Sequence, residues 1–420
     1  MTLQVHRDPT VLRPDQTRVI LLPFTPGDSR RIGGIIARIM ALGEESVVTL
    51  LAEIIENFRG RHGDLSGRFL ERFDQVRQML DTDEFISEPR RLLIGSYFLN
   101  EYSVESAALF NPSIVPDINQ AGLPEGALRF ILSLRATGEG HISSITFRSG
   151  IVFADGRIEI QTPAGTLLEP RQIQDPEHTN EEVRFEPGHA MSQRVIFPFM
   201  PSQSNGIEDA RFVRFQPAQG EACYYATFTA YDGRVIAPQL LETSDFLSFR
   251  FISLNGEAAV NKGMALFPRK IDGRFAMISR QDNESIFIMY SDNVTFWNER
   301  IPLLKPVFPW ELIQIGNCGS PIETEAGWLV LSHGVGAMRE YSIGAFLLDL
   351  NEPSRVIGRL AEPLLHPSPS EREGYVPNVV YSCGSLVHNK KLVIAYGLAD
   401  HATGFATVPL ADVLAAMQPV

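Results

Sequence analysis

Four short segments carry polar and charged residues that strand packing alone does not require. The first is Asn205-Gly206-Ile207-Glu208-Asp209-Ala210-Arg211-Phe212, where two adjacent carboxylates stand beside an arginine at the start of an apolar run. A carboxyl group at such a junction can serve as a general acid once burial raises its pKa. The plainer reading is a solvated turn with a local Asp209–Arg211 ion pair. The second segment begins at Asn261-Lys262-Gly263 and ends at Arg280, with Asp272-Gly273 between. If that Asp-Gly pair turns one hairpin, Lys262 and Arg280 can converge on an anion; otherwise they are two exposed cations on a strand edge. The third runs from Gln314-Ile315-Gly316-Asn317 to Ser332-His333-Gly334, and its glycines permit close backbone approach to a ligand. A lone histidine such as His333 is more often a hydrogen-bonded structural residue than a catalytic one. The fourth is Glu371-Arg372-Glu373-Gly374-Tyr375 through Tyr381, followed by Tyr396-Gly397 and Asp400. Taken singly, none of them decides a function.

The elements that would position these residues change character near residue 105. From about Asp28 to Leu109 apolar residues recur at three and four positions, which predicts helices over 27–42, 44–58 and 65–80 and a further one over Glu88–Asn100. In the second helix Val47, Leu50, Leu51, Ile54 and Ile55 form one stripe, and Glu44 and Glu45 suit its N-terminus. The stripe has two readings, packing within the protein or a homo-oligomer contact. After Asn111 short β runs alternate with turns, among them Asp155-Gly156, Asp232-Gly233 and Asp272-Gly273, each followed by arginine. Further turns are expected at Ala326-Gly327 and Asn389, and a short helix over Pro409–Met417. Roughly 300 residues of short strands mean a sandwich, a barrel or a propeller. The 40-residue spacing of the second and third Asp-Gly pairs, close to one four-stranded blade, favours the propeller. The segment 101–115 is a candidate to pair with the C-terminal strands. These patterns divide the chain at 1–104, an α-helical extension, and 105–420, a β domain.

Bulk properties exclude several classes. A net charge of −13 disfavours a general nucleic-acid binder, although a local basic pocket can still hold a small anion. Cys223, Cys318 and Cys383 are isolated, which argues against a disulfide framework and a structural zinc site. No metal or other cofactor is expected. The first residues have no apolar core of a signal peptide and no run approaches 18 apolar residues, so a cytoplasmic protein with no membrane partner is expected.

Taken together and in order, the segments resemble glycoside hydrolase family 130, the β-mannoside phosphorylases and mannosidases. The resemblance is carried by FNPSIV (110–115), NGIEDARF (205–212), TAYDG (229–233), GMALFPRKIDGR (263–274), IGNCGSPIETEAGWLVLSHGVG (315–336), YSIGAFLLDL (341–350), EGYVPNVVYSCG (373–384) and YGLAD (396–400). It spans about residues 105–410 and leaves the helical region as an extension. It implies an all-β fold, a five-bladed β-propeller with the site at one end of its central channel. It also implies an inverting reaction in which phosphate, as co-substrate, attacks the anomeric carbon of a β-mannoside and gives α-D-mannose 1-phosphate. By motif position Asp209 is the general acid, acting through the 3-hydroxyl of the mannosyl residue.

The same resemblance makes Lys262, Arg280 and His333 the phosphate ligands, with Gln314 at the position where phosphorylases carry a lysine. It maps the mannosyl subsite onto Asn111, Arg135, Ser143, Glu208, Tyr341 and Asp400, with Ser144 adjacent. The departure at Gln314 keeps hydrolysis open as an alternative, with Glu208, Glu323, Glu371 or Glu373 to activate water. A second alternative is a propeller that binds glycans without catalysis, because fold alone does not establish activity.

Overall fold

The computed structural model describes residues 3–78, 85–173 and 181–420. The last two residues of the helical pattern over 65–80 lie outside the described residues, as do Met1 and Thr2 of the N-terminal sequence. The chain forms two units, Asp15–Val104 with Ala164–Leu168, and the remainder.

In the smaller unit the periodic segments form helices Ser29–Met40, Glu44–Phe58, Leu65–Arg77 and Glu88–Ser96. Asp28 and Asp64 cap the first and third of these by accepting from the amides of Arg31 and Gly67. Buried Arg90 donates to the carbonyls of Ile39, Met40 and Leu42 at the end of the first helix, where carbonyls run short of intrahelical partners. The fourth helix stops four residues earlier than its pattern predicts, because Leu99–Ser103 pairs as a strand with Val19–Pro23. The apolar stripe is used inside this unit. Val47 is buried among residues such as Ile36, Phe73 and Leu93, and Leu51 among Leu65 and Phe69; Leu50, Ile54 and Ile55 pack partly against them.

Among the described residues, the larger unit is built of five antiparallel sheets. The first has Ala108–Pro116, Leu128–Thr137 and Ser143–Val152 as its main strands, and the second has Ile207–Phe215, Cys223–Tyr231, Ile236–Thr243 and Ser248–Ser253. The third contains Ala265–Leu266, Phe275–Ser279, Ile286–Ser291 and Ile301–Leu304. The fourth contains Gln314–Asn317, Gly327–Val335, Tyr341–Leu348 and Val356–Arg359. The fifth joins Val380–Tyr381, Lys391–Leu398 and Ala402–Pro409 to His6–Leu12 from the N-terminus. All three Asp-Gly pairs fall between consecutive paired segments, and each glycine has a positive φ.

Among the described residues, five apolar clusters each lie between two consecutive sheets. Phe147 and Phe212 meet between the first and second, Phe215 and Met277 between the second and third, and Phe267 and Trp328 between the third and fourth. Leu329 and Ile394 share the core between the fourth and fifth, and Phe130 stacks near Phe405 where the fifth meets the first.

The partner of the last strand differs from the expectation. Thr407 pairs with His6 and Thr403 with Leu12, whereas Leu99–Ser103 belongs to the smaller unit and Ala108–Pro116 to the first sheet. The β unit therefore takes in residues up to Pro14 as well as those from Glu105. Arg7 adds a 3.0 Å ion pair to Glu371. Removing residues 1–14 strips about five backbone hydrogen bonds at roughly 1 kcal/mol each and leaves Ala402–Pro409 as an open edge. The expected result is a thermal midpoint lower by roughly 5–10 °C, read by calorimetry.

Candidate active site

Two β-bulges create the centre of the site. In the first sheet Asn111 and Pro112 together oppose one residue, because pairing jumps from Phe110–Arg135 to Ser113–Ser133. In the second sheet Asp209 and Ala210 do the same, between Glu208–Thr229 and Arg211–Thr227. A bulge bends the strand and re-aims one side chain. Asn111 and Asp209 take the left-handed backbone, φ 49° and 55°, a conformation that asparagine and aspartate tolerate better than most residues. The two re-aimed side chains meet, Asn111 Nδ2 donating to Asp209 Oδ1 at 2.7 Å.

On one side of Asp209 lies a network suited to hydroxyl groups. Arg135 donates to Glu208 at 2.7 Å, to Asp209 at 3.4 Å and, through Nε, to Ser143 Oγ at 2.9 Å. Gly206 makes this possible: it bridges Ser143 with φ 131°, and a Cβ there would lie 2.9 Å from the Ser143 amide nitrogen. Ser144 is buried beside it. Asp400 sits on the turn after Lys391–Leu398 and interacts electrostatically with Asp209, Arg135 and Glu208.

On the other side lies a cationic pocket. Asp209, Arg211, Lys262, Gly263 and Thr227 line one small cavity, and Thr227 donates to the Met264 carbonyl. Arg211 is 2% exposed and reaches away from Asp209's strand, donating to the Asn317 carbonyl at 2.9 Å and to Tyr381 Oη at 2.7 Å. A Cβ on Gly263 would stand 3.8 Å from Arg280 Nε and 4.0 Å from Arg211, so both guanidinium groups flank one backbone step. Arg280 donates to His333 Nε2 at 3.0 Å. Gly316 lets these two approach, since a Cβ there would lie 2.5 Å from His333 Cε1 and 2.9 Å from Arg280 Cδ. Among the described residues, Arg280 Nε and both amide atoms of buried Asn317 have no hydrogen-bond partner. Buried polar groups are nearly always satisfied, so water or a bound anion must complete these.

Charge follows the same division. Burial alone would raise the Asp209 pKa, but Arg135, Arg211, Lys262 and the bond from Asn111 outweigh it and hold the carboxyl below its usual range. Asp400 goes the other way, pushed up to about 6 by burial and then by the Asp209 charge, with Arg135 and Arg339 offsetting part of this. Burial, then Arg280, Arg211 and Lys262, drives His333 far below the usual imidazole value. His333 thus joins the pocket as a neutral acceptor that orients Arg280, not as a fourth cation.

The shift at Asp400 has a consequence for stability. Its folded-state pKa lies above the unfolded value, so the folded chain binds the proton more tightly. Stability from this group is present below about pH 4 and is lost as pH rises toward 6. Asp400→Asn should therefore gain on the wild type across that window, by about 1–3 kcal/mol, and show no gain near pH 4. Thermal melts at a series of pH values check it.

The structure brings together Asp209 with Asn111, Arg135, Ser143, Glu208 and Asp400, and with Lys262, Arg280 and His333. Tyr341 stands at the edge, its ring 6.0 Å from that of His333. Gln314 begins the strand Gln314–Asn317 opposite Val335, and its side chain makes no hydrogen bond among the described residues. Of the carboxylates considered for water activation, Glu208 holds Arg135 and Glu323 holds Arg269. Glu371 holds Arg7 and Tyr396, and Glu373 is exposed. The sequence reading missed Arg211, Asn317 and Tyr381. It had paired Arg211 with its neighbour Asp209, a solvated turn in place of a buried junction between sheets.

The chain resembles known proteins in sequence and in fold. Residues 177–419 match the family model described as beta-1,4-mannooligosaccharide phosphorylase. The chain is 37% identical to a 1,2-beta-oligomannan phosphorylase of Thermoanaerobacter sp. (strain X514), over 54% of this chain and 79% of that one. It is 32% identical to the beta-1,2-mannobiose phosphorylase of Listeria innocua, over 52% of this chain and 62% of that one. The solved structure of beta-1,2-mannobiose phosphorylase from Listeria innocua, in complex with beta-1,2-mannobiose, superposes with a TM-score of 0.51 at 22% identity, covering 74% of this chain and 92% of that one, which shows a shared fold. With the family model covering more than half of its length, the chain belongs to glycoside hydrolase family 130.

Proposed function

We propose that the protein cleaves β-mannosides with inorganic phosphate, inverting the anomeric centre and releasing α-D-mannose 1-phosphate. The observation that carries this reading is the position of Asp209 between an ion-paired polar cluster around Arg135 and a pocket lined by the cations Arg211, Lys262 and Arg280. The names of the related phosphorylases support it. The same reading takes the five sheets as blades of a five-bladed β-propeller, supported by a core between each consecutive pair and between the fifth and the first.

In this reading Asn111, Arg135, Ser143, Glu208, Tyr341 and Asp400 hold the mannosyl unit. Arg211, Lys262 and Arg280 clamp phosphate, with His333 and Asn317 orienting the clamp. A phosphate oxygen forms the new bond to the anomeric carbon as the glycosidic C–O bond breaks on the opposite face. The leaving oxygen takes the proton of Asp209, relayed by the sugar 3-hydroxyl as the resemblance implies. Phosphate is an anionic nucleophile and needs cationic clamping; an inverting hydrolase needs a second carboxylate to activate water. Glu323 and Glu371 are engaged elsewhere, which favours phosphorolysis.

The low pKa of free Asp209 fits this order of events. Arg211 and Lys262 hold it ionised, and a bound phosphate dianion offsets those same two charges. Phosphate thereby raises the pKa of the acid it works with.

Initial rates of cleavage of β-1,2-mannobiose and β-1,4-mannobiose against phosphate concentration test the proposal. Saturable dependence on phosphate is expected, with mannose 1-phosphate formed one for one. Equal release of free mannose without phosphate would overturn it.

A further inference from the structure

The strap Arg372–Asn378 ties together loops from three sheets that carry Tyr341, Asp400 and Arg135. Arg372 pairs with Glu340 at 3.5 Å, and the Asn378 carbonyl accepts from the Tyr341 amide at 3.0 Å; both partners flank the tip of the fourth sheet's central hairpin. The Val376 amide donates to the Ala399 carbonyl at 2.9 Å, one residue from Asp400. Tyr375 reaches the first sheet: its hydroxyl lies 3.3 Å from His141 Nδ1, and the two rings stand 5.6 Å apart at 35°. His141 sits at the tip of the hairpin whose two strands carry Arg135 and Ser143.

This pair is not core. Tyr375 is 56% exposed and His141 is exposed, yet they meet across 234 residues of chain. His141 adopts the left-handed backbone at φ 62°, next to Gly140 at φ 65°. An aromatic pair held open to solvent by a costly loop conformation suggests function over packing. Its neighbours narrow that function. Asp400 and Arg135 belong to the sugar side of Asp209, and the pair is carried by the hairpin of Arg135 and by the strap bonded beside Asp400.

Resting on the phosphorolytic reading of the site, we infer that His141 and Tyr375 form the platform for the leaving sugar. The ligand is a neutral hexosyl unit. Its apolar C–H face packs on the Tyr375 ring, an amphipathic surface that costs little entropy to hold in place, and its hydroxyls meet the Tyr375 hydroxyl and His141. Rings fixed by a strap and a hairpin would select the orientation of the unit β-linked to the mannosyl residue.

Steady-state kinetics and calorimetry with β-1,2-mannobiose on Tyr375→Ala, Tyr375→Phe and His141→Ala test this. Tyr375→Ala should raise the disaccharide KM about tenfold, the equivalent of one buried aromatic contact, with the phosphate KM unchanged. Tyr375→Phe keeps the ring and should stay within about threefold. Binding of the disaccharide in the Asp209→Asn background should weaken by the same factor as the KM. The thermal midpoints should match, because the side chain is exposed. Disaccharide affinity within twofold of wild type for both Tyr375→Ala and His141→Ala overturns the platform. Cleavage that ignores phosphate sinks the phosphorolytic reading instead, and the binding measurement still decides the platform.

Discussion

Replacing Asp209 with Asn is expected to lower kcat by about 10³- to 10⁴-fold while disaccharide binding changes only a few-fold. The upper part of that range is what positioned proton transfer contributes. Asparagine is the informative substitution because position 209 has φ 55°, a conformation it shares with aspartate, so the bulge survives the change. An alanine would confound lost chemistry with lost geometry. The introduced amide can still accept from Asn111 through its oxygen, so the centre of the site stays ordered. Single-turnover kinetics together with calorimetric binding separate the two effects. Turnover that survives the change largely intact removes Asp209 from the role of acid.

Replacing Arg211 with Met should reduce kcat/KM for phosphate by about 10²- to 10³-fold, with the mannoside KM within a few-fold of wild type. Removing one preorganised charge aimed at the reacting group typically costs this much. Methionine preserves most of the volume, so the neighbouring Phe212 core is not emptied. The Asn317 carbonyl and Tyr381 hydroxyl lose their shared donor, a cost of roughly 1–3 kcal/mol in stability. Loss of one of several crowded cations offsets part of it. The variant also tests the link between nucleophile and acid. Arg211 is among the charges that hold down the Asp209 pKa, so its removal should shift the alkaline limb of the kcat profile to higher pH. Steady-state rates from pH 5 to 9 at several phosphate concentrations read both effects. A phosphate KM unchanged by the substitution takes Arg211 out of the clamp.

Part of this site was legible before any coordinates, for a physical reason. Turns and glycines leave local signatures: Asp-Gly pairs mark hairpins, and charged residues at the end of a turn stand out from the apolar strands around them. Asp209 and Asp400 stood out in this way, whereas Asn111 came only with the family resemblance, and the two bulges that aim Asn111 and Asp209 had no sequence signal of their own. What the sequence hid were partnerships set by the ring-wise order of sheets. Arg211 looks like a neighbour of Asp209, yet its hydrogen bonds go to Asn317 and Tyr381, 106 and 170 residues away. His333 reads as a base by residue type, and only burial beside Arg280 makes it a neutral acceptor. The role of His6–Leu12 was hidden too. A seven-residue edge strand of exposed and half-buried residues, with none fully buried, has no clear periodic signal of its own, and its pairing depends on where the last strand ends up.

The claim underlying the account is that one anion binds across Arg211, Lys262 and Arg280, facing Asp209. A crystal structure of the Asp209→Asn variant soaked with phosphate and β-1,2-mannobiose tests it most directly. The account predicts phosphate within hydrogen-bond reach of Arg211 and Lys262, on the far side of the anomeric carbon from the leaving oxygen. Disaccharide bound beside Asn111 and Arg135, with that pocket free of anion at saturating phosphate, would contradict it.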